Sequence, residues 1–164
     1  MKDPEINIEL TKADHLLEAV GWTLLLVLWA MIIYIYYHTP DIVPIHFNAI
    51  GEADGYGDRS MVFLTGVIAT VLFVMMTAIG RVPAMFNFPE KRTAENAQQQ
   101  FTAAAKMLRF AKIGVALIFI MVEMYSYKAA IGESTEEYGK YLLPVTMLLT
   151  FVPAIFYFLK RKKK

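Results

Sequence analysis

Four long apolar stretches constrain this chain more than any other feature. They run from about Ala19 to Tyr37, Met61 to Gly80, Ile113 to Ile131 and Tyr141 to Leu159. A bilayer core about 30 Å thick is crossed by roughly 20 apolar residues in a helix rising about 1.5 Å per residue. Each stretch therefore reads as a transmembrane helix. Of the 164 residues, 57% are hydrophobic and 19% charged, against about 45–50% and 25% in soluble domains. That balance excludes an ordinary soluble enzyme and any disordered or fibrous class. The predicted fold is an all-α integral membrane protein, a single four-span domain over 1–164. Its tails and loops are too short to hold a separate catalytic domain.

Orientation follows from the basic residues. The N-terminal segment carries Lys2 and Lys12, and the tail carries Lys160, Arg161, Lys162, Lys163 and Lys164. Between spans two and three, and entering span three, lie Arg81, Lys91, Arg92, Lys106, Arg109 and Lys112. Thirteen of the sixteen basic residues thus fall on one side, leaving Arg59, Lys128 and Lys140 on the other. Both termini are predicted to be cytoplasmic. Tyr34, Tyr36, Tyr37, Tyr125, Tyr127, Tyr138 and Tyr141 gather at the outer ends, as an interfacial aromatic belt requires. Met1-Lys2-Asp3-Pro4-Glu5 lacks the basic start of a signal peptide, and no small-residue cleavage site follows span one. The first span is expected to stay as an anchor.

Local signals refine the ends. Thr11-Lys12-Ala13-Asp14 reads as a near capping box, so the first helix begins before the membrane. Ile6, Ile8 and Leu10 alternate with polar residues and predict a short extended arm. Ala94, Ala97, Phe101, Ala104, Leu108 and Ala111 repeat at 3-4 spacing, and Val115, Ile118, Val122 and Tyr125 continue that seam. This predicts one long third helix, capped near Thr93, whose amphipathic segment 93–112 extends into the cytoplasm. Its seam packs within the bundle or against a partner, either a second copy or another subunit. In span four, Thr146, Thr150 and Ala154 form a small-residue ridge. Pro153 frees the carbonyl of Leu149, and Thr150 is placed to satisfy it.

The outer loop, 39–59, is the most informative segment. Pro40 and Pro44 favour extended backbone. Strand spacing puts Val43, Ile45 and Phe47 on one face and Pro44, His46 and Asn48 on the other. Gly51, Gly55 and Gly57 permit tight turns around Asp54. Such a loop is expected to be ordered over the helix ends.

Pro40-Asp41, Pro44-x-His46-Phe47-Asn48, Gly51 and Asp54-Gly55-Tyr56-Gly57 resemble the signature of a membrane family catalogued as a domain of unknown function, number 1648. Phe86-Asn87-Phe88-Pro89, Thr93-Ala94-Glu95-Asn96-Ala97 and Gln100 are similar to the cytoplasmic segment of its short four-span members. Where the signature continues with Ser-Lys, this chain has Asp58-Arg59. Some larger members are bacterial immunity proteins that protect against a secreted killing peptide and signal its presence. The resemblance therefore implies a bacterial plasma-membrane protein of the binding, sensing or immunity type. Its outer loop would face a peptide or protein ligand.

Other chemistry is poorly supplied. The chain has no cysteine, which excludes disulfides and thiolate chemistry. Aligning Gly55 with the turn glycine of a calcium loop puts Ile50 and Met61 at ligand positions, so that motif fails. A zinc site lacks closely spaced histidines. No nucleophile elbow, P-loop or dinucleotide fingerprint is present. No enzyme activity, cofactor, metal or nucleic-acid partner is expected. His46, Asn48 and Asp54 are read as shaping the loop.

Glu123 lies just past the middle of span three, where a carboxylate must face the bundle interior or find a partner. Lys128 is poorly aligned to pair with it along the helix. Glu123 is therefore either a hydrogen bond between helices or the site of a transporter or conduit. Lys106, Arg109 and Lys112 repeat every three residues. With the run Lys160 to Lys164 they are predicted to meet the headgroups of the lipid bilayer.

Overall fold

The computed structural model describes residues 10–48, 50–82, 85–86, 93 and 96–161, without the side chains of Glu136, Glu137, Phe156, Lys160 and Arg161. The predicted N-terminal arm, most of the segment 87–95 and Lys162 to Lys164 lie outside the described residues. Four helices dominate: α1 (Lys12–His38), α2 (Val62–Ile79), α3 (Ala97–Ala130) and α4 (Glu136–Arg161). Between α1 and α2 the chain forms strands β1 (Ile42–Phe47) and β2 (Ala53–Asp58), followed by a single 3-10 turn, Arg59–Met61. The expectation of an all-α chain is corrected here, because the loop closes as a two-stranded antiparallel sheet.

The predicted cap of α1 forms, while α3 begins after Asn96, three residues beyond the predicted Thr93. Thr11 Oγ1 accepts from the Asp14 amide at 3.2 Å, and Asp14 accepts in return from the Thr11 amide at 3.0 Å, closing the capping box. Ahead of α3, Thr93 and Asn96 exchange the same pair of bonds at 2.9 and 3.3 Å. The helix that follows is continuous for 34 residues.

By length and composition, three helices among the described residues can cross a membrane: Lys12–His38, Arg59–Ile79 and Tyr138–Leu159. Helix α3 is different in kind. It packs against α1, α2, α4 and β1, and it buries Gln100, Arg109, Lys112, Glu123 and Ser126 alongside its apolar residues. It runs parallel to α1, with Arg109 beside Asp14 at one end and Tyr127 edge-on to Tyr34 at the other. The seam residues Ala97, Phe101 and Ala104 are buried by the chain itself.

The apolar core joins Leu25, Leu28, Ile32 and Ile35 of α1 to Val62, Ala69 and Phe73 of α2, with Val43 from β1 at one end. Phe119 and Ile120 of α3 pack against it. Trp29 donates to Thr70 across α1 and α2 at 3.0 Å, which satisfies the indole N–H within an apolar interface.

The ends of α1 and α3 away from the hairpin are joined by charge. Arg109 donates through Nη1 to Asp14 at 3.1 Å and through Nε to Glu18 at 3.2 Å. Lys112 reaches Glu18 at 2.5 Å and Thr77 of α2 at 3.0 Å. The expectation that Arg109 and Lys112 meet lipid headgroups from an open helix face is corrected: their side chains are 9% and 1% exposed. Acids one turn apart on α1, Asp14 and Glu18, draw both cations inward. Of that predicted trio only Lys106 is exposed.

Helix α4 packs chiefly on α3. Pro144 and Pro153 both lie inside it. Thr150 donates to the carbonyl of Thr146 at 2.8 Å, not to Leu149 as predicted, because a threonine hydroxyl in a helix reaches the carbonyl four residues back.

Candidate functional site

The predicted outer loop is an ordered hairpin clamped onto the end of α3. Its two strands pair Ile42 with Asp58, Val43 with Gly57, Pro44 with Tyr56, His46 with Gly55 and Phe47 with Ala53. The register slips twice, between Pro44 and His46 and again before Phe47. Pro44 has no amide to donate, so the ladder breaks where proline sits. The slip overturns the predicted alternation. Val43 and Pro44 are both buried, whereas Ile45 is 50% exposed.

The glycines divide their work differently from the prediction. Of the three hairpin glycines only Gly51 has a positive φ, 86°, and it makes the turn. Gly55 and Gly57 lie within β2. A Cβ on Gly57 would fall 2.8 Å from Ile45 Cδ1, and one on Gly55 would fall 2.9 Å from His46 Cβ. They are small so that the side chains of β1 can fold across them.

Asn48 holds the turn. Its Oδ1 accepts from the amides of Ile50 and Glu52 at 3.1 and 2.9 Å, while Nδ2 donates to Glu52 at 3.0 Å. His46 Nδ1 bonds Asp54 Oδ1 across the strands on the solvent side. Asp58 caps the 3-10 turn by accepting from the Ser60 amide at 2.8 Å. Hydrogen bonds from Ser60 hold the Asp58 carboxyl below the ordinary carboxylate range, with the charge of Arg59 adding to the effect. Each polar residue of the motif is thus spent on the hairpin. Among the described residues no three His, Asp or Glu side chains converge on a point where an ion would sit.

Arg59, the departure from the family signature, latches the hairpin base to α1. It donates to the Thr39 carbonyl at 3.3 Å, pairs with Asp41 at 3.3 Å and lies 5.0 Å above the Tyr36 ring. Pro40 is exposed beside this latch.

The opposite side of the hairpin is docked by residues that the sequence reading did not single out as contacts. The Tyr125 hydroxyl lies between the carbonyls of Gly51 and Thr135, the latter at 3.1 Å. Its ring meets Phe47 edge-on at 4.7 Å. Ser126 donates to the Pro44 carbonyl at 2.5 Å. Gly51 also packs directly on the backbone of Gly139 in α4. No short-range pattern announces such contacts, since Tyr125 and Gly51 are 74 residues apart.

Glu123, one turn below this junction, is 2% exposed. Its Oε1 accepts from Thr65 of α2, and its Oε2 has no hydrogen-bond partner among the described residues. Lys128 does not join it. Lys128 pairs with Glu133 at 2.7 Å.

What the hairpin shows to its surroundings is apolar and acidic. Ile42, Ile45, Ile50 and Tyr56 are 50–66% exposed, set among Asp41, Glu52, Asp54 and Asp58. A rigid, docked element that leaves this much apolar surface uncovered has the character of an interaction surface.

No curated protein and no solved structure matches the chain. Residues 23–70, from within α1 through the whole hairpin to the middle of α2, match the model of the family described as Domain of unknown function (DUF1648).

Proposed function

We propose that this chain is a four-span protein of a bacterial plasma membrane, with both termini cytoplasmic, that binds a peptide ligand through its outer hairpin. A fourth span is supported by the course of α3. It lies parallel to α1 from Arg109 to Tyr127, so it traverses the layer that α1 traverses. The division of the basic residues in the sequence, thirteen against three, supports the orientation.

One observation carries the binding role. The hairpin is held rigid from behind by Tyr125, Ser126 and Arg59, yet presents Ile45 and Tyr56 at 50% and 63% exposure. Preformed apolar anchors bind without an ordering cost. Four flanking acids against one arginine select a cationic, amphipathic partner. Sensing of, or immunity to, a membrane-active peptide follows as the role. No covalent chemistry belongs to it.

The test uses the full chain in nanodiscs of zwitterionic lipid and an amphipathic peptide of leucine and lysine as probe. Binding is expected to the native chain and to fall at least about tenfold in the Ile45→Ser, Tyr56→Ser double variant at unchanged melting temperature. Equal binding by both proteins, or none by either, overturns the reading.

A second reading rests on the bare Oε2 of buried Glu123, since intramembrane acids are often part of ion pathways. In it the chain is a conduit, and proteoliposome flux disappears in Glu123→Gln.

A further inference from the structure

At the end of the bundle opposite the hairpin, α1, α2 and α3 enclose a cleft of about 270 Å³. Its wall carries three cations, Arg81, Arg109 and Lys112, together with Thr77 and a single acid, Glu18. Leu10, Met76, Ala105 and Leu108 complete it with Gly80. This cleft shares no residue with the hairpin site.

Two of the cations are part of the structure. Lys112 and Arg109 are almost wholly withdrawn from solvent and held on Glu18, Thr77 and Asp14. Those two acids balance those two cations. Arg81 is left over. It follows directly on the end of α2, is exposed at the rim of the cleft, and has no acid of its own among the described residues. Among the described residues the cleft therefore carries one uncompensated positive charge, beside two acid-paired cations in a partly dry setting.

We infer that this cleft is a binding site for a phosphate group borne by an amphiphilic or small soluble ligand. The guanidinium of Arg81 supplies the planar fork that matches a phosphate's oxygens, and Arg109 and Lys112, neutralised by Asp14 and Glu18, form the fixed polar wall behind it. The volume is below that of the pockets that enclose whole drug-sized ligands, about 300–1,000 Å³. It suits one phosphate and its immediate linker, with the rest of the ligand lying outside. The apolar wall at Leu108 gives that remainder a path along the helices. Basic pockets between membrane helices are a general means of holding anionic headgroups. A phosphodiester in a phospholipid and a free phosphate offer the same oxygens, so the probes must separate them.

The experiment follows thermal unfolding of the detergent-solubilised full chain. It is titrated separately with phosphatidylglycerol, with phosphatidylcholine and with inorganic phosphate. Arg81→Gln is the main variant, because Arg81 holds no other element in place. Lys106→Gln, which removes an exposed α3 cation outside the cleft, is the control.

Stabilisation by phosphatidylglycerol alone supports a lipid source. Stabilisation by inorganic phosphate supports a soluble one. In either case Arg81→Gln is expected to weaken the response about five- to tenfold, with Lys106→Gln close to the native chain. The inference is overturned by an equal response to phosphatidylcholine, by no response to any probe, or by an Arg81→Gln response equal to the native one. An equal loss in both variants also overturns it, since the effect is then general surface charge.

Discussion

Gly114 of α3 lies directly against the backbone carbonyl of Leu149 in α4. A Cβ built on Gly114 would come within 2.8 Å of that oxygen. Leu149 is four residues before Pro153, so its carbonyl receives no amide from the next turn. The sequence thus places a residue without a side chain opposite the one carbonyl that most needs room and company.

Gly114→Ala should therefore push the helices apart, because the obstacle is backbone and cannot rotate away. A loss of about 1–3 kcal/mol is expected, with Gly114→Leu worse. The denaturation midpoint in graded dodecyl sulfate measures it. A native midpoint for Gly114→Leu would mean that α4 does not pack here.

The charge cluster gives a second prediction. Arg109→Met leaves Asp14 and part of Glu18 buried without their cation, a change that costs about 3–5 kcal/mol. Adding Asp14→Asn to that variant should recover part of the loss, since an amide keeps the Thr11 cap while removing the stranded charge. The same denaturation assay reads both proteins. A double variant no better than the single would separate Asp14 from Arg109 energetically.

The third concerns Tyr125. Tyr125→Phe keeps the ring on Phe47 but removes the hydroxyl from the Gly51 carbonyl, while Thr135 keeps the amides of Tyr138 and Gly139. Leaving the buried Gly51 carbonyl without that donor should cost about 1–3 kcal/mol. Hydrogen exchange is expected to quicken across 42–58 while amides near Asp14 keep their protection. Unaltered exchange in the hairpin would show that its strands hold without α3.

What the sequence revealed was mainly local. The capping signals at Thr11 and Thr93 involve residues three positions apart, so a short window contains both partners. The three helices apolar enough to cross a membrane are legible for a similar reason, because length and composition decide them residue by residue. Ile45 was misplaced because alternation assumes an unbroken ladder, and Pro44 breaks it.

Arg109 and Lys112 were assigned to a surface because a helical face does not say what it faces. A clue was present nonetheless. Asp14 and Glu18 repeat at four residues on α1, Arg109 and Lys112 at three on α3, and parallel helices bring such pairs side by side. The contacts of Tyr125 had no comparable clue. In the loop, the motif residues were correctly located, but their polar groups prove to be occupied with one another. Ile45 and Tyr56 are left exposed, the former predicted to share a face with Val43 and Phe47.

The junction at Tyr125 has a mechanical consequence. One phenol oxygen touches the hairpin turn at Gly51 and the approach to α4 at Thr135, and Gly51 itself rests on Gly139. Hairpin and α4 therefore meet twice, directly at Gly51 and Gly139 and through the Tyr125 oxygen on α3. A load applied to the turn is divided between α3 and the start of α4, a helix with two prolines along its length. A displacement of the hairpin is thus delivered to both helices at once.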